Sequence, residues 1–253
     1  MILLCISGMF LCGWLFLPAK GNGKKYFVIS SCAILFLYAA LRAHGLQPDI
    51  PVYVDYYNKY SKLSLIQILG FFGSDHKDPF YYVFSWLFSR IFPNAQWWLA
   101  FVALVYIIAF GVLVYRESEN PILSFLAFLA LGYFEFSLSG LRQTLALSFT
   151  MLSFFSIKKK KWKSFVFMVL LASLFHRSAL IFLIVYPIAH IKLGRTHVIV
   201  AIVVGVMFFM GESYIRAFLQ RYLTGSQYEG YIDRTVGLTI SGFIIARSGN
   251  SLL

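Results

Sequence analysis

LRQTLALSFTMLSFFSIKKKKWKSFVFMVLLASLFHR, residues 141–177, decides the fold of this chain. Two apolar runs, 144–157 and 164–175, flank a basic tract of Lys158, Lys159, Lys160, Lys161, Trp162 and Lys163. Away from the tract, the first run begins after Arg142 and the second ends at His176 and Arg177. Short loops dense in Lys and Arg stay cytoplasmic. The stretch therefore reads as a helical hairpin that descends from Arg142, turns inside on the lysines and rises to His176. Arg142 and His176 are expected on one external face. An ionisable side chain at membrane depth costs about 2.5 to 3.5 kcal/mol on insertion scales and is usually paired or functional.

The remainder of the chain fits a membrane solvent. Hydrophobic residues make up 60% of the chain and charged residues 13%, with a mean hydropathy of +0.75. An ordinary soluble domain keeps about a quarter of its residues charged, so that class is excluded. Further apolar runs at 1–17, 26–41, 97–114, 121–138, 178–190 and 198–210 predict an all-α polytopic bundle of about eight membrane segments. Some runs fall short of the ~20 residues of a full span, and flanking Trp, Tyr and Lys complete them. The first run lacks a basic leader and is followed by Lys20, Lys24 and Lys25, so it reads as a retained span rather than a signal peptide.

Those lysines, the 158–163 tract and Lys192 with Arg195 set three cytoplasmic loops. Parity then puts Arg42, Arg142, His176 and Arg177 outside and makes 42–96 an outer loop. Within that loop, 79–92 opens on Pro79 and carries Ser85, Ser89 and Arg90. It is expected as a short re-entrant or interfacial helix. The net charge of +12 is topological on this reading, with membrane lipids and no nucleic acid as the partner. Cys5, Cys12 and Cys32 lie in apolar runs as small hydrophobes, so neither a disulfide nor a metal site is expected. The whole of 1–253 reads as a single transmembrane domain. The apolar stretch 235–246 is too short to span, and the chain is read as C-terminally truncated.

The chemistry-bearing residues gather outside. Arg142 supplies a planar, permanently charged fork suited to a phosphate or carboxylate; its bland counterpart is an interfacial or internally paired arginine. His176 suits general-base work, with Arg177 beside it as a like charge. An imidazole merely hydrogen-bonded at the interface is the alternative. Glu135 and Arg142 are seven residues apart and share a face if the helix is continuous, while Gly140 is positioned to break it. The outer loop supplies Asp49, Tyr53, Asp55, Tyr56, Tyr57, Asp75 and Asp78, a mixture of rings and acids suited to sugar faces and hydroxyls. The segment 211–235 is expected as an outer loop able to meet a ligand or as an amphipathic helix on the bilayer.

A family resemblance is carried by Arg42, Gly45, Asp49, Tyr53 and Tyr57, then Asp78-Pro79-Phe80-Tyr81, Leu141-Arg142-Gln143, the lysine-rich turn, and Phe175-His176-Arg177-Ser178-Ala179-Leu180. In order and spacing this resembles the EpsG-type exopolysaccharide and capsule polymerases, related in role to O-antigen polymerases. The resemblance implies joining of polyprenyl-diphosphate-linked repeat units at the outer face of the bacterial inner membrane. It implies Arg142 and His176 as catalytic residues. Arg42, Asp49, Tyr53, Asp78, Glu135, Gln143 and Arg177 are then candidates for glycan or diphosphate binding. No cofactor or metal is called for, because the lipid diphosphate carries the activated bond. A chain-length regulator or flippase is the expected protein partner. Two rival readings are a polysaccharide or lipid-linked oligosaccharide transporter, and a rhomboid-like intramembrane protease that would pair Ser139 with His176.

Overall fold

The computed structural model describes residues 2–16, 21–45, 47, 49–74, 76–192 and 194–210. The sequence readings of Lys20 and Asp75, of the outer segment 211–235 and of the apolar stretch 235–246 lie outside the described residues.

Among the described residues the fold is all-helical. The apolar runs fold as α1 (Ile2–Phe16), α2 (Gly23–Ala40), α6 (Ala95–Glu117), α9 (Leu141–Lys158), α10 (Trp162–Phe175) and α12 (Arg195–Met210). The outer loop is itself helical, with α3 (Ile50–Tyr60), α4 (Leu65–Leu69), a 3-10 turn at Gly70–Gly73 and α5 (Pro79–Ser89). Local signals start several of these elements. The Asn94 side chain caps Gln96 N, and Ser64 and Gln67 form a reciprocal capping box at α4. α5 is 11 residues, about 16 Å long, too short to cross a bilayer. It packs on α3, α4, α6 and α10, with Tyr81, Tyr82 and Ser85 buried.

By length and composition α2 and α6 qualify as membrane spans, and a third span results if the pair α7 (Pro121–Ala130) and α8 (Tyr133–Ser139) is counted as one. α1, α10 and 177–190 are shorter apolar helices. Two expected runs thus differ from straight spans. The 121–138 run bends by 54° between α7 and α8, because Gly132 adopts a left-handed φ of +75° that side chains with a Cβ resist. The 178–190 run is a 3-10 helix over Arg177–Ile184 followed by α11 (Val185–His190), since the extended backbone of His176 ends α10 and Pro187 removes an N–H from the first turn of α11.

Residues 1–190 form one compact unit; a second begins at Ile191, and its described part is α12. In the first unit α2 packs on α1 and α6, and α9 lies between α6 and α10. One core joins α2, α6, α7 and α8 through Phe27, Leu35, Phe110, Phe125, Phe128 and Phe134. A second joins the outer-loop helices to the bundle through Tyr57, Tyr81, Trp98, Leu145, Ala172 and Phe175.

The two ends of the bundle differ in charge. Lys24 donates to the Ser118 carbonyl and Lys158 pairs with Glu117, so the start of α2 and the ends of α6 and α9 meet beside the lysine tract. At the other end the Gln96 amide donates to the carbonyls of Ala40 and Arg42, tying the close of α2 to the start of α6.

The α2–α6 contact depends on a missing side chain. A Cβ at Gly111 would lie 2.6 Å from the Cys32 sulfur, well inside van der Waals contact. Gly111→Ala is expected to destabilise the detergent-solubilised protein by about 1 to 3 kcal/mol through overpacking, read as a lowered Tm. Adding Cys32→Ala should recover most of the loss, and a strictly additive double variant would refute this contact.

Candidate functional site

Asp78 is the N-cap of α5, held in a left-handed conformation (φ 55°, ψ 56°) just before Pro79. Such a conformation costs a non-glycine residue roughly 1 kcal/mol or more and persists only when its surroundings fix it. Here they do. Asp78 Oδ2 accepts from Arg142 Nη1 at 3.3 Å and from His176 Nδ1 at 3.0 Å, and Oδ1 accepts from the Arg177 backbone N–H at 3.0 Å. One carboxylate thereby joins the start of α5, the start of α9 and the end of α10.

Electrostatics follows from this geometry. Asp78 is 4% exposed, and its burial disfavours the charged form. The hydrogen bonds from His176 and the Arg177 N–H, with the charge of Arg142, outweigh that penalty and hold the carboxyl below its usual range. Because an ionised carboxylate only accepts, His176 must donate from Nδ1, which leaves Nε2 of the neutral ring with its lone pair. That nitrogen lies 3.4 Å from the Gln143 amide nitrogen.

The break between α8 and α9 at Gly140 positions the other groups. Arg142 Nη1 also reaches the Lys77 carbonyl at 3.3 Å, and the Tyr53 phenol lies within electrostatic reach of the same guanidinium. Ser139, on the other side of the break, donates to Asp49 Oδ2 at 3.0 Å. Asp49 and Tyr53 are four residues apart at the start of α3, so a single helical turn of the outer loop touches both flanks of the break.

Each sequence-derived candidate can now be placed. Arg142, His176, Asp78, Gln143 and Tyr53 form one connected network, and Arg177 enters it through its backbone N–H. The Arg177 side chain is exposed and makes no ion pair among the described residues. Asp49 joins at the edge through Ser139. Glu135 sits exposed in the first turn of α8, and no hydrogen bond or ion pair connects it to Arg142. The helix continuity that would have aligned the two is interrupted at Gly140. Arg42 is buried at the end of α2, donating from Nη1 to the Ala39 carbonyl at 2.9 Å; its Nε and Nη2 have no partner among the described residues. Burial pulls its pKa down to about 10, against a small opposing effect of Tyr38. Ser139 is bonded to Asp49 rather than to His176, so the protease pairing is not formed.

Sequence reasoning left Asp78 in a supporting role and did not foresee Ser139 as the partner of Asp49. The dipeptide Asp78-Pro79 ahead of an apolar run was the available signal for a helix start; its partners lie 64 and 98 residues away.

A cavity of about 970 Å³ opens beside this network, lined by His176 and Gln143 and by apolar side chains of α6, α8, α9 and 177–184 such as Phe110, Phe136, Leu147 and Phe182. The arrangement offers an oriented imidazole nitrogen that lines an apolar chamber, with one partly exposed guanidinium (Arg142) and one exposed guanidinium (Arg177) close to it in the network. It is suited to acid–base chemistry on a ligand that is anionic at one end.

A family model for the EpsG family matches residues 25–247. The chain belongs to the EpsG family, whose association with polysaccharide synthesis, together with the apolar helices, marks it as a membrane protein. No curated protein and no solved structure matches it.

The depressed Asp78 carboxyl predicts a pH signature. A carboxyl lowered in the folded state contributes stability that is fully present above its unfolded value of about 3.9 and is lost as pH falls through the lower folded value. Asp78→Asn should cost about 3 to 5 kcal/mol near neutrality by leaving Arg142 without its counter-charge. The difference in Tm between wild type and Asp78→Asn should shrink as pH falls below about 4. A difference constant across that window would show that the carboxylate is not the stabilising charge.

Proposed function

We propose that this EpsG-family chain joins polyprenyl-diphosphate-linked oligosaccharide repeat units into a surface polysaccharide. The observation that carries this reading is the single Asp78 carboxylate engaging Arg142, His176 and the Arg177 N–H, with His176 also lining an apolar cavity. Family membership supports the polysaccharide context. The lysine-rich end of the bundle is taken as cytoplasmic by the positive-inside rule, which sets the Asp78 network on the outer face of the bacterial cytoplasmic membrane. On this reading α1, α9, α10, the 177–190 segment and α12 are also embedded, giving about eight membrane segments in all.

The reaction is a glycosyl transfer. A hydroxyl oxygen of the acceptor sugar attacks the anomeric carbon of the donor, forming the new C–O bond. The bond from that carbon to the diphosphate oxygen breaks, and its electron pair leaves with the polyprenyl diphosphate. The hydroxyl proton passes to His176 Nε2, whose ring is oriented through Nδ1 by Asp78. Arg142, with the part of its fork that Asp78 leaves unused, and the exposed Arg177 guanidinium stabilise the charge that develops on the diphosphate. Asp49 and Tyr53, at the edge of the network, are positioned to meet sugar hydroxyls and ring faces.

His176→Gln, which preserves size and hydrogen bonding while removing the base, is expected to lower elongation by roughly 10² to 10⁴-fold. Arg142→Ala should do the same. In cells making the polymer, both variants should insert normally and leave single repeat units on lipid at the outer face. Retention of those units at the cytoplasmic face would instead identify a transporter, and unchanged glycan length would remove the polymerase reading.

A further inference from the structure

The cavity beside His176 does not end there. A second, of about 630 Å³, adjoins it and shares Phe110, Leu113, Phe128, Leu131, Leu147 and Met151 with it. Together they form one cleft between α6, the bent α7–α8 pair, α9 and the 177–184 segment. At one end it meets His176 and Gln143, and at the other Glu117 and Ser118 beside the lysine tract. The α6 side chains that line it run from Tyr106 to Glu117, about 17 Å of helix, or roughly half the ~30 Å hydrocarbon core of a bilayer. The bend at Gly132 opens one wall, and Leu131, Gly132 and Tyr133 all line the chamber.

We propose that this cleft holds the hydrocarbon tail of a polyprenyl phosphate or diphosphate carrier, with the anionic head at the Asp78 network; this rests on the polymerase reading and locates its lipid subsite. A polar ligand extending down the cleft would leave its hydrogen bonds unmet along apolar walls, a cost of several kcal/mol per group. The cleft is open, with Leu131, Leu147 and Ile181 exposed along it, so a hydrocarbon chain can enter it from the bilayer. The head end is marked by different chemistry, namely Arg142 and the exposed Arg177 guanidinium beside His176. A ligand with one anionic end and one long chain therefore satisfies both ends of the cleft at once. Lipid tails are as apolar as leucine, so the gain is close packing against the cleft's aromatic rings rather than escape from water.

The test uses the full chain in phospholipid nanodiscs with a long-chain polyprenyl phosphate bearing a diazirine in its tail, and geranyl phosphate as the short competitor. Met151→Trp and Leu131→Trp fill the cleft from its wall; Met151 lies eight residues along α9 from Gln143, about 12 Å of helix. Photolabelling should map to cleft residues of α6 and α9. Each Trp variant should weaken long-chain binding about tenfold, a packing-scale loss, while leaving geranyl phosphate binding unchanged. Labels confined to the outer lipid-facing surface, or Trp variants that bind the long chain as wild type does, would overturn the assignment. A cysteine at position 147 that crosslinks to a cysteine in 235–246, or to position 147 of a second copy, and abolishes labelling would also overturn it, by showing that protein fills the cleft. The two readings separate cleanly. If His176→Gln leaves polymer length unchanged while the probe still labels the cleft, the catalytic reading fails and the lipid subsite stands.

Discussion

One carboxylate organises the functional end of this protein. Asp78 is almost fully buried, sits in a backbone conformation that is unfavourable for an acid with a Cβ, and accepts three hydrogen bonds from two other helical segments. Burying a charge without partners is prohibitive, and burying it with well-placed partners is not. The converse applies to Arg142 and His176, which acquire fixed positions only because an anion lies between them. The acid and its donors are thus mutually dependent. That coupling fixes the outer-loop helix α5 against the α9–α10 hairpin.

The helix breaks serve the same end. A straight span through 121–138, continued into α9, would carry Arg142 along a single axis with Glu135. The Gly140 junction instead separates α8 from α9 and presents Ser139 and Arg142 to the first turn of α3, where Asp49 and Tyr53 meet them. The Gly132 turn swings α7 and α8 apart by 54° and opens the cleft. At His176 the extended backbone stops α10 and turns the next N–H towards Asp78. Non-helical backbone at membrane depth is tolerated only where protein or a cavity satisfies it, and each of these breaks lies against the network or the cleft.

Much of this was legible in the sequence, for identifiable reasons. Apolar runs bounded by basic residues report helices directly, and the alternation of lysine-rich turns with Arg42, Arg142 and His176 reports which helix ends gather together. The departures arise where a local pattern has more than one tertiary solution. An apolar run contains the same residues whether it is straight or bent at Gly132. Adjacency drew attention to the Arg177 guanidinium, whereas the bond that ties this residue to the network is its backbone N–H to Asp78. Glu135 was near Arg142 in sequence, whereas Asp78 is 64 residues away; pairing of that range is set by packing of whole helices, which no single window of sequence contains.

α9 shows how hydropathy and position diverge. It lies between α6 and α10 at the centre of the bundle, yet it is absent from the helices apolar enough to qualify as spans. Thr144, Ser148, Thr150, Ser153 and Ser156 lower its hydropathy, and all five are buried. Ser148, Thr150 and Ser153 donate to carbonyls of α9 itself three or four residues earlier, Thr144 donates to the carbonyls of Gly140 and Ser137 at the α8–α9 break, and the Ser156 hydroxyl pairs with that of Ser164 in α10. Each polar group is therefore satisfied without water, so small hydroxyl side chains let neighbouring helices approach closely at little cost in burial. A helix that faces protein on most sides has no need to be soluble in lipid. For that reason the segment carrying Arg142, the least hydrocarbon-like of the long helices, is the one placed where the site and the cleft meet.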